Sequence, residues 1–116
     1  MEQKVVRTLK TKTPQQALQS LMRMCARSER SSGDALRLMK QWGVADEDAR
    51  KVVAKLRADR FIDDARYAEA YTRDKLNLSG WGARKIKMGL RAKGVAQDII
   101  EEVVSPMFAD ADMGSR

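Results

Sequence analysis

The chain has 116 residues, a net charge of +7, one cysteine and no histidine. That length suits one domain or two very small units, and the charge suits an acidic partner, with nucleic acid first among them. A lone Cys25 excludes an intrachain disulfide, and the missing histidine removes zinc sites and histidine-dependent catalysis. No apolar run approaches the ~20 residues of a membrane span and the polar N-terminus is no signal peptide. The chain therefore reads as a cytoplasmic protein with no membrane contact, cofactor, metal or small-molecule substrate.

Residues 1–12 (MEQKVVRTLKTK) hold four cations and one acid and read as a flexible basic arm, with Lys4, Arg7, Lys10 and Lys12 available for loose phosphate contacts. Order begins at "TPQQ", where Thr13 is an N-cap, Pro14 takes the first helical position and Gln16 closes a capping box. The first predicted helix carries Leu18, Leu21, Met22 and Cys25 on one stripe, with Cys25 as a small core residue. Ser31 caps a second helix with Ala35, Leu38, Met39 and Trp42 inward, stopped by Gly43. A third starts near Asp46, its acidic cluster matched to the helix dipole, with Ala49, Val52, Val53 and Leu56 inside.

The pattern then recurs. Phe61 and Ile62 lead into an Asp63 N-cap, and the fourth helix turns Tyr67, Ala68, Tyr71 and Leu78 to one side. The fifth follows "SGWG" with Ile86 and Leu90 inward and ends at Gly94; the sixth runs from about Ala96 through Ile99, Ile100, Val103 and Val104 to near Pro106. At an offset of 51 residues Gly43-Val44 falls on Gly94-Val95, Met39 on Leu90, Ala35 on Ile86, Ala49 on Ile100 and Val53 on Val104. Within the first helix of each set the offset is 50. The expectation is an all-α chain of tandem three-helix repeats, 13–58 and 61–108, stacked into an elongated, curved array with a frayed tail at 109–116.

Charge is unevenly spread. Residues 1–58 hold 13 Lys/Arg and 6 Asp/Glu, whereas 59–116 hold 10 of each, so cations of the second half are locally clustered. Arg84, Lys85, Lys87, Arg91 and Lys93 fall in "SGWGARKIKMGLRAKGV" with no acid among them. Arg84, Lys87 and Arg91 lie within about 60° on a helical projection, opposite Ile86 and Leu90; Lys85 flanks the stripe and Lys93 lies nearer the apolar side. Solvated helices usually mix signs, so five like charges point to an external anion such as phosphate. Arg66, Arg73, Arg23 and Arg27 extend the candidate surface, although Arg66 with Asp63 and Arg73 with Glu69 could pair internally. Trp42, Tyr67, Tyr71 and Trp81 read as structural aromatics in preference to base-stacking platforms, and Gly80 and Gly82 as a tight turn with close backbone approach.

"DDARYAEAYTRDKLNLSGWGARKIKMGLRAKGV" (63–95) resembles the RecX regulatory family in its acidic-Arg-Tyr-Ala start, its Gly-x-Gly-x-x-Lys-Ile turn and its Leu-Arg-x-Lys-Gly-Val end. "ALQSLMRMCARSERSSGDALRLMKQWGV" (17–44) is similar to that family's first repeat. The resemblance implies tandem three-helix units that bind the RecA recombinase filament on single- or double-stranded DNA and inhibit its activities. The family usually has three units, and two are read here, which fits a short or truncated form. The favoured expectation is a monomeric, non-enzymatic modulator of the filament. The alternative is a stand-alone, weakly sequence-selective DNA-binding module; a helix-turn-helix reader is disfavoured because the sixth helix lacks Lys and Arg and carries Asp98, Glu101 and Glu102. A protein-only adaptor is the third reading. The paired carboxylates Asp63-Asp64 and Glu101-Glu102 suit capping and solvation, and offer no convergent catalytic pair.

Overall fold

The computed structural model describes residues 11–114, with side chains from 11 to 109. Among them are six α-helices and no strand: α1 Pro14–Arg27, α2 Ser32–Gln41, α3 Asp46–Ala58, α4 Asp64–Asp74, α5 Ala83–Ala92 and α6 Gln97–Gly114. A π-helical turn, Lys75–Ser79, continues α4. The chain divides into two compact units, Met1–Ile62 and Asp63–Arg116, each holding three helices.

Side chains written at the helix starts do the capping. Thr13 Oγ1 accepts from the Gln16 amide at 3.1 Å while Gln16 Oε1 accepts from the Thr13 amide at 3.0 Å, the reciprocal capping box. Ser31 accepts from Asp34 and Asp63 from Arg66, each at 3.0 Å. The stops repeat as well. Gly43 and Gly94 adopt φ of 78° and 84°, which any side chain would strain, and the next residue's amide closes back on the helix: Val44 to Met39 O at 2.9 Å, Val95 to Leu90 O at 3.1 Å. This shared stop is the backbone counterpart of the 51-residue repeat.

Each unit has its own core. In the first, Ala17, Leu21, Ala35, Met39 and Leu56 are almost completely buried, with Leu18, Met22, Cys25 and Trp42 packed against them. In the second, Ala68, Ile86, Leu90, Ile100 and Val104 are fully buried. Each large aliphatic side chain buried this way is worth about 1.5–3 kcal/mol, enough to hold a three-helix unit whose helices are individually marginal.

Several expectations require correction. Ile62 is 1% exposed in the first unit's core with Phe61 packed beside it, so this pair completes the first unit instead of opening the second. Leu78, expected inward on the fourth helix, is 82% exposed. The π turn adds residues to the helical circuit, which rotates Leu78 outward and lets Leu76 pack on the core in its place. The sixth helix does not end near Pro106 but continues to Gly114. Glu102 and Pro106 are both exposed, so water can satisfy the carbonyl that the proline leaves without a donor, and Phe108 beyond it packs on the second core. Of the basic arm, Lys4, Arg7 and Lys10 lie outside the described residues. Lys12 is docked: its amide donates to Trp42 O at 3.1 Å and its ammonium lies 5.0 Å from the Trp42 ring centroid.

Candidate nucleic-acid interface

Helix α5 is sorted by chemistry. Ile86 and Leu90 are fully buried, while Arg84, Lys85, Met88 and Arg91 face solvent. Lys87, at the edge of the apolar side, is turned toward α6. Its ammonium donates to Glu101 Oε1 at 2.9 Å and to Ser105 Oγ at 3.2 Å, and its side chain is only 25% exposed. Gln97 Nε2 donates to Glu101 Oε2 at 2.8 Å, and Arg91 donates to Gln97 Oε1 at 2.7 Å. Bonding to Lys87, reinforced by Ser105 and Gln97, holds the Glu101 carboxyl below the usual glutamate range.

This overturns one part of the expected stripe. Lys87 is neutralised by a carboxylate from the neighbouring helix and leaves the anion-facing set. The helical projection of α5 alone could not show this, because the partner lies 14 residues on. Arg84, Lys85 and Arg91 remain: among the described residues none has a carboxylate within ion-pairing distance, and Arg91 bonds only to the neutral Gln97. Met88, 61% exposed, sits on the same outer face.

Trp81 joins this surface as a structural platform. Its half-buried indole packs on the second core, with Lys85 4.3 Å and Lys75 4.6 Å from the ring centroid. Such contacts are worth about 0.5–1 kcal/mol at exposed sites and hold both cations over one ring. Of the two flanking glycines, Gly80 is left-handed, whereas Gly82 is extended with open space around its α-carbon, so no close approach demands it. Lys75 was not singled out from the sequence. Its position depends on the π turn, which leaves no pattern in the residues.

The more distant candidates divide. Arg73 lies 3.8 Å from Glu69 with both side chains more than half exposed, a pair too solvated to withdraw it from an external anion. Arg66 donates its amide to the Asp63 cap, is half-buried, and has a further interaction within the protein. In the first unit, Arg23 and Arg27 line a hollow of about 320 Å³ together with Lys12, Met24 and Trp42. Lys12 was expected on a loose arm and Trp42 in the core; the docking of one on the other brings both beside the two arginines. The candidate residues thus form two basic sets, one in each unit.

Among the described residues, no group of three or more His, Cys, Asp or Glu could hold a metal ion, and no helix is long and apolar enough to cross a membrane. The class this defines is a small all-helical protein of three-helix units, each with an exposed basic face. Residues 63–104 match the family model of the RecX second three-helix domain. A RecX regulatory protein of Geobacillus thermodenitrificans is 35% identical over 86 residues, covering 74% of this chain and 32% of that protein. One from Clostridium acetobutylicum is 42% identical over 60 residues, covering 52% and 27%. The crystal structure of RecX from Lactobacillus salivarius superposes with a TM-score of 0.72 at 22% identity, over 78% of this chain and 58% of that one. A second RecX crystal structure gives 0.73 at 24%, over 81% and 46%. The chain belongs to the RecX family of regulatory proteins and has their fold. It spans about a third of the length of the curated relatives it matches.

Proposed function

We propose that this chain is a non-enzymatic regulator that binds the RecA recombinase filament and lowers its activity, touching the DNA phosphates of the filament through its basic faces. It acts as a monomer in the cytoplasm. The observation that carries the reading is the outer face of α5, where Arg84, Lys85 and Arg91 share one exposed surface without a carboxylate. Family membership supports the regulatory role, and the hollow of Arg23, Arg27 and Lys12 supports a second phosphate contact. Spread charge of this kind positions a protein on a backbone without reading bases, so sequence preference is slight.

The test is a titration into recombinase assembled on single-stranded DNA, following ATP turnover at low and high salt. The triple variant Arg84→Glu, Lys85→Glu, Arg91→Glu is expected to lose inhibition while keeping its helical circular dichroism. Unchanged inhibition by that variant overturns the reading. Lys87 is left intact because its loss would disturb the α5–α6 packing and confuse the result.

A further inference from the structure

The 51-residue repeat allows the two units to be compared position by position, and at one place they part. In the second unit the seam between α5 and α6 is bridged by Lys87, Arg91, Gln97, Glu101 and Ser105. Subtracting the offset, the corresponding first-unit residues are Leu36, Lys40, Asp46, Arg50 and Ala54. The carboxylate that bridges one seam is an arginine in the other, and the lysine it holds is a leucine.

The first-unit seam, between α2 and α3, is accordingly open. Two adjoining hollows of about 270 and 250 Å³ lie along it, and Leu36 and Arg50 line both. The floor is aliphatic, from Leu36, Ala49, Val53 and Ala54, and Leu36 is 38% exposed. Lys40, Arg50 and Arg57 stand along the rim, and among the described residues none of the three has an ion-pair partner. Arg37 is tied to Asp34 at 2.7 Å, and Asp46 is the one acid lining the hollows.

We propose that this seam is a docking groove for an acidic amphipathic segment of a partner protein. An aliphatic side chain of that segment covers Leu36, and its carboxylates meet Arg50, Lys40 and Arg57, supplying from outside the bridging acid that Glu101 supplies within the second unit. A helix fits best, since apolar and acidic positions three and four apart present both chemistries on one side. Nucleic acid fits less well. The floor holds no aromatic ring on which a base could stack, and leaving Leu36 uncovered beside bound phosphates would gain nothing. The site is separate from the α5 face and does not depend on the function proposed above.

A display library of random 16-residue peptides selected on the full chain, with recovered peptides measured by fluorescence anisotropy, provides the test. Recovered sequences should carry Asp or Glu around Leu or Ile at helical spacing. Their affinity should fall at least tenfold for Arg50→Glu, and changing the facing Glu of the peptide to Lys should restore it. Arg50 is exposed, so the variant should keep the wild-type circular dichroism. The proposal is overturned if no sequence family is recovered, if the recovered peptides lack carboxylates, if Arg50→Glu binds them as well as wild type does, or if a 16-mer of oligothymidine displaces them from the groove.

Discussion

The ammonium of Lys87 and the carboxylate of Glu101, 2.9 Å apart, join helices α5 and α6 across the second unit. The bond removes one cation from the basic face and gives the seam a pH response. Its partners hold Glu101 below the ordinary glutamate pKa, so the folded chain takes up this proton less readily than the unfolded one. The stabilisation is therefore present above the ordinary value and disappears as pH falls through the lowered one. Wild type should melt above the Glu101→Gln variant at pH 7, and the gap should narrow steadily as pH falls below the ordinary glutamate value. Thermal unfolding of both proteins across that range checks it. A gap that widens on acidification would show that Glu101 is held by something other than a cation.

Salt dependence separates the cations that face outward from the one that does not. Each phosphate neutralised by an exposed side chain steepens the fall of log affinity with log salt by about 0.7 for single strands and 0.9 for duplex. Replacing Arg84 with Gln should lower the slope by roughly one such contact while leaving the melting temperature in place. Lys87→Gln should do the opposite, lowering the melting temperature with little change in slope. Equal slopes for wild type and Arg84→Gln would take Arg84 out of the interface.

Much of the fold was legible because its determinants are local. Thr13, Ser31 and Asp63 announce helix starts by side chains that reach three residues, and Gly43 and Gly94 announce stops by a conformation few other residues tolerate. The buried stripe of α5 likewise follows from period alone. What the sequence hid was set by tertiary neighbours. Nothing near Lys87 says that Glu101 will reach it, and nothing in "KLNLS" distinguishes a π turn from an α turn, so periodicity alone turns Leu78 inward. Ile62 lies next to the N-cap of α4, yet its chain leaves α3 in a direction that returns it to the first core; two amides, of Phe61 and Ile62, bind Leu56 O at 2.8 and 3.2 Å and fix that return.

Trp81 provides a test of the DNA contact proposed for the α5 surface. Lys75 and Lys85 both lie within 5 Å of its ring centroid, and its other contacts are with the second core. A ring so covered should not stack on bases. In a Trp42→Phe background, where Trp81 is the remaining tryptophan, saturating oligothymidine is expected to change the fluorescence only slightly. Quenching by more than about half, of the kind base stacking gives, would assign the indole to direct contact with DNA.

Gly89, in the middle of α5, faces Tyr71 inside the second unit. A β-carbon there would overlap the Tyr71 hydroxyl and sit 3.0 Å from ring carbon Cζ. Tyr71 packs on the second core with the Tyr67 ring 6.0 Å away, centroid to centroid, so making way for the new β-carbon means moving a packed ring. Gly89→Ala should gain about 0.5–1 kcal/mol in helix propensity and lose about 1–3 kcal/mol to overpacking, a net destabilisation. Shortening the ring residue should reverse the sign: in a Tyr71→Leu background the alanine has room, and only the propensity gain remains. Urea unfolding of the four proteins in this cycle measures the coupling directly. Additive effects would mean that the tyrosine moves aside at no cost, and that close approach of α4 to α5 is not why position 89 holds a glycine.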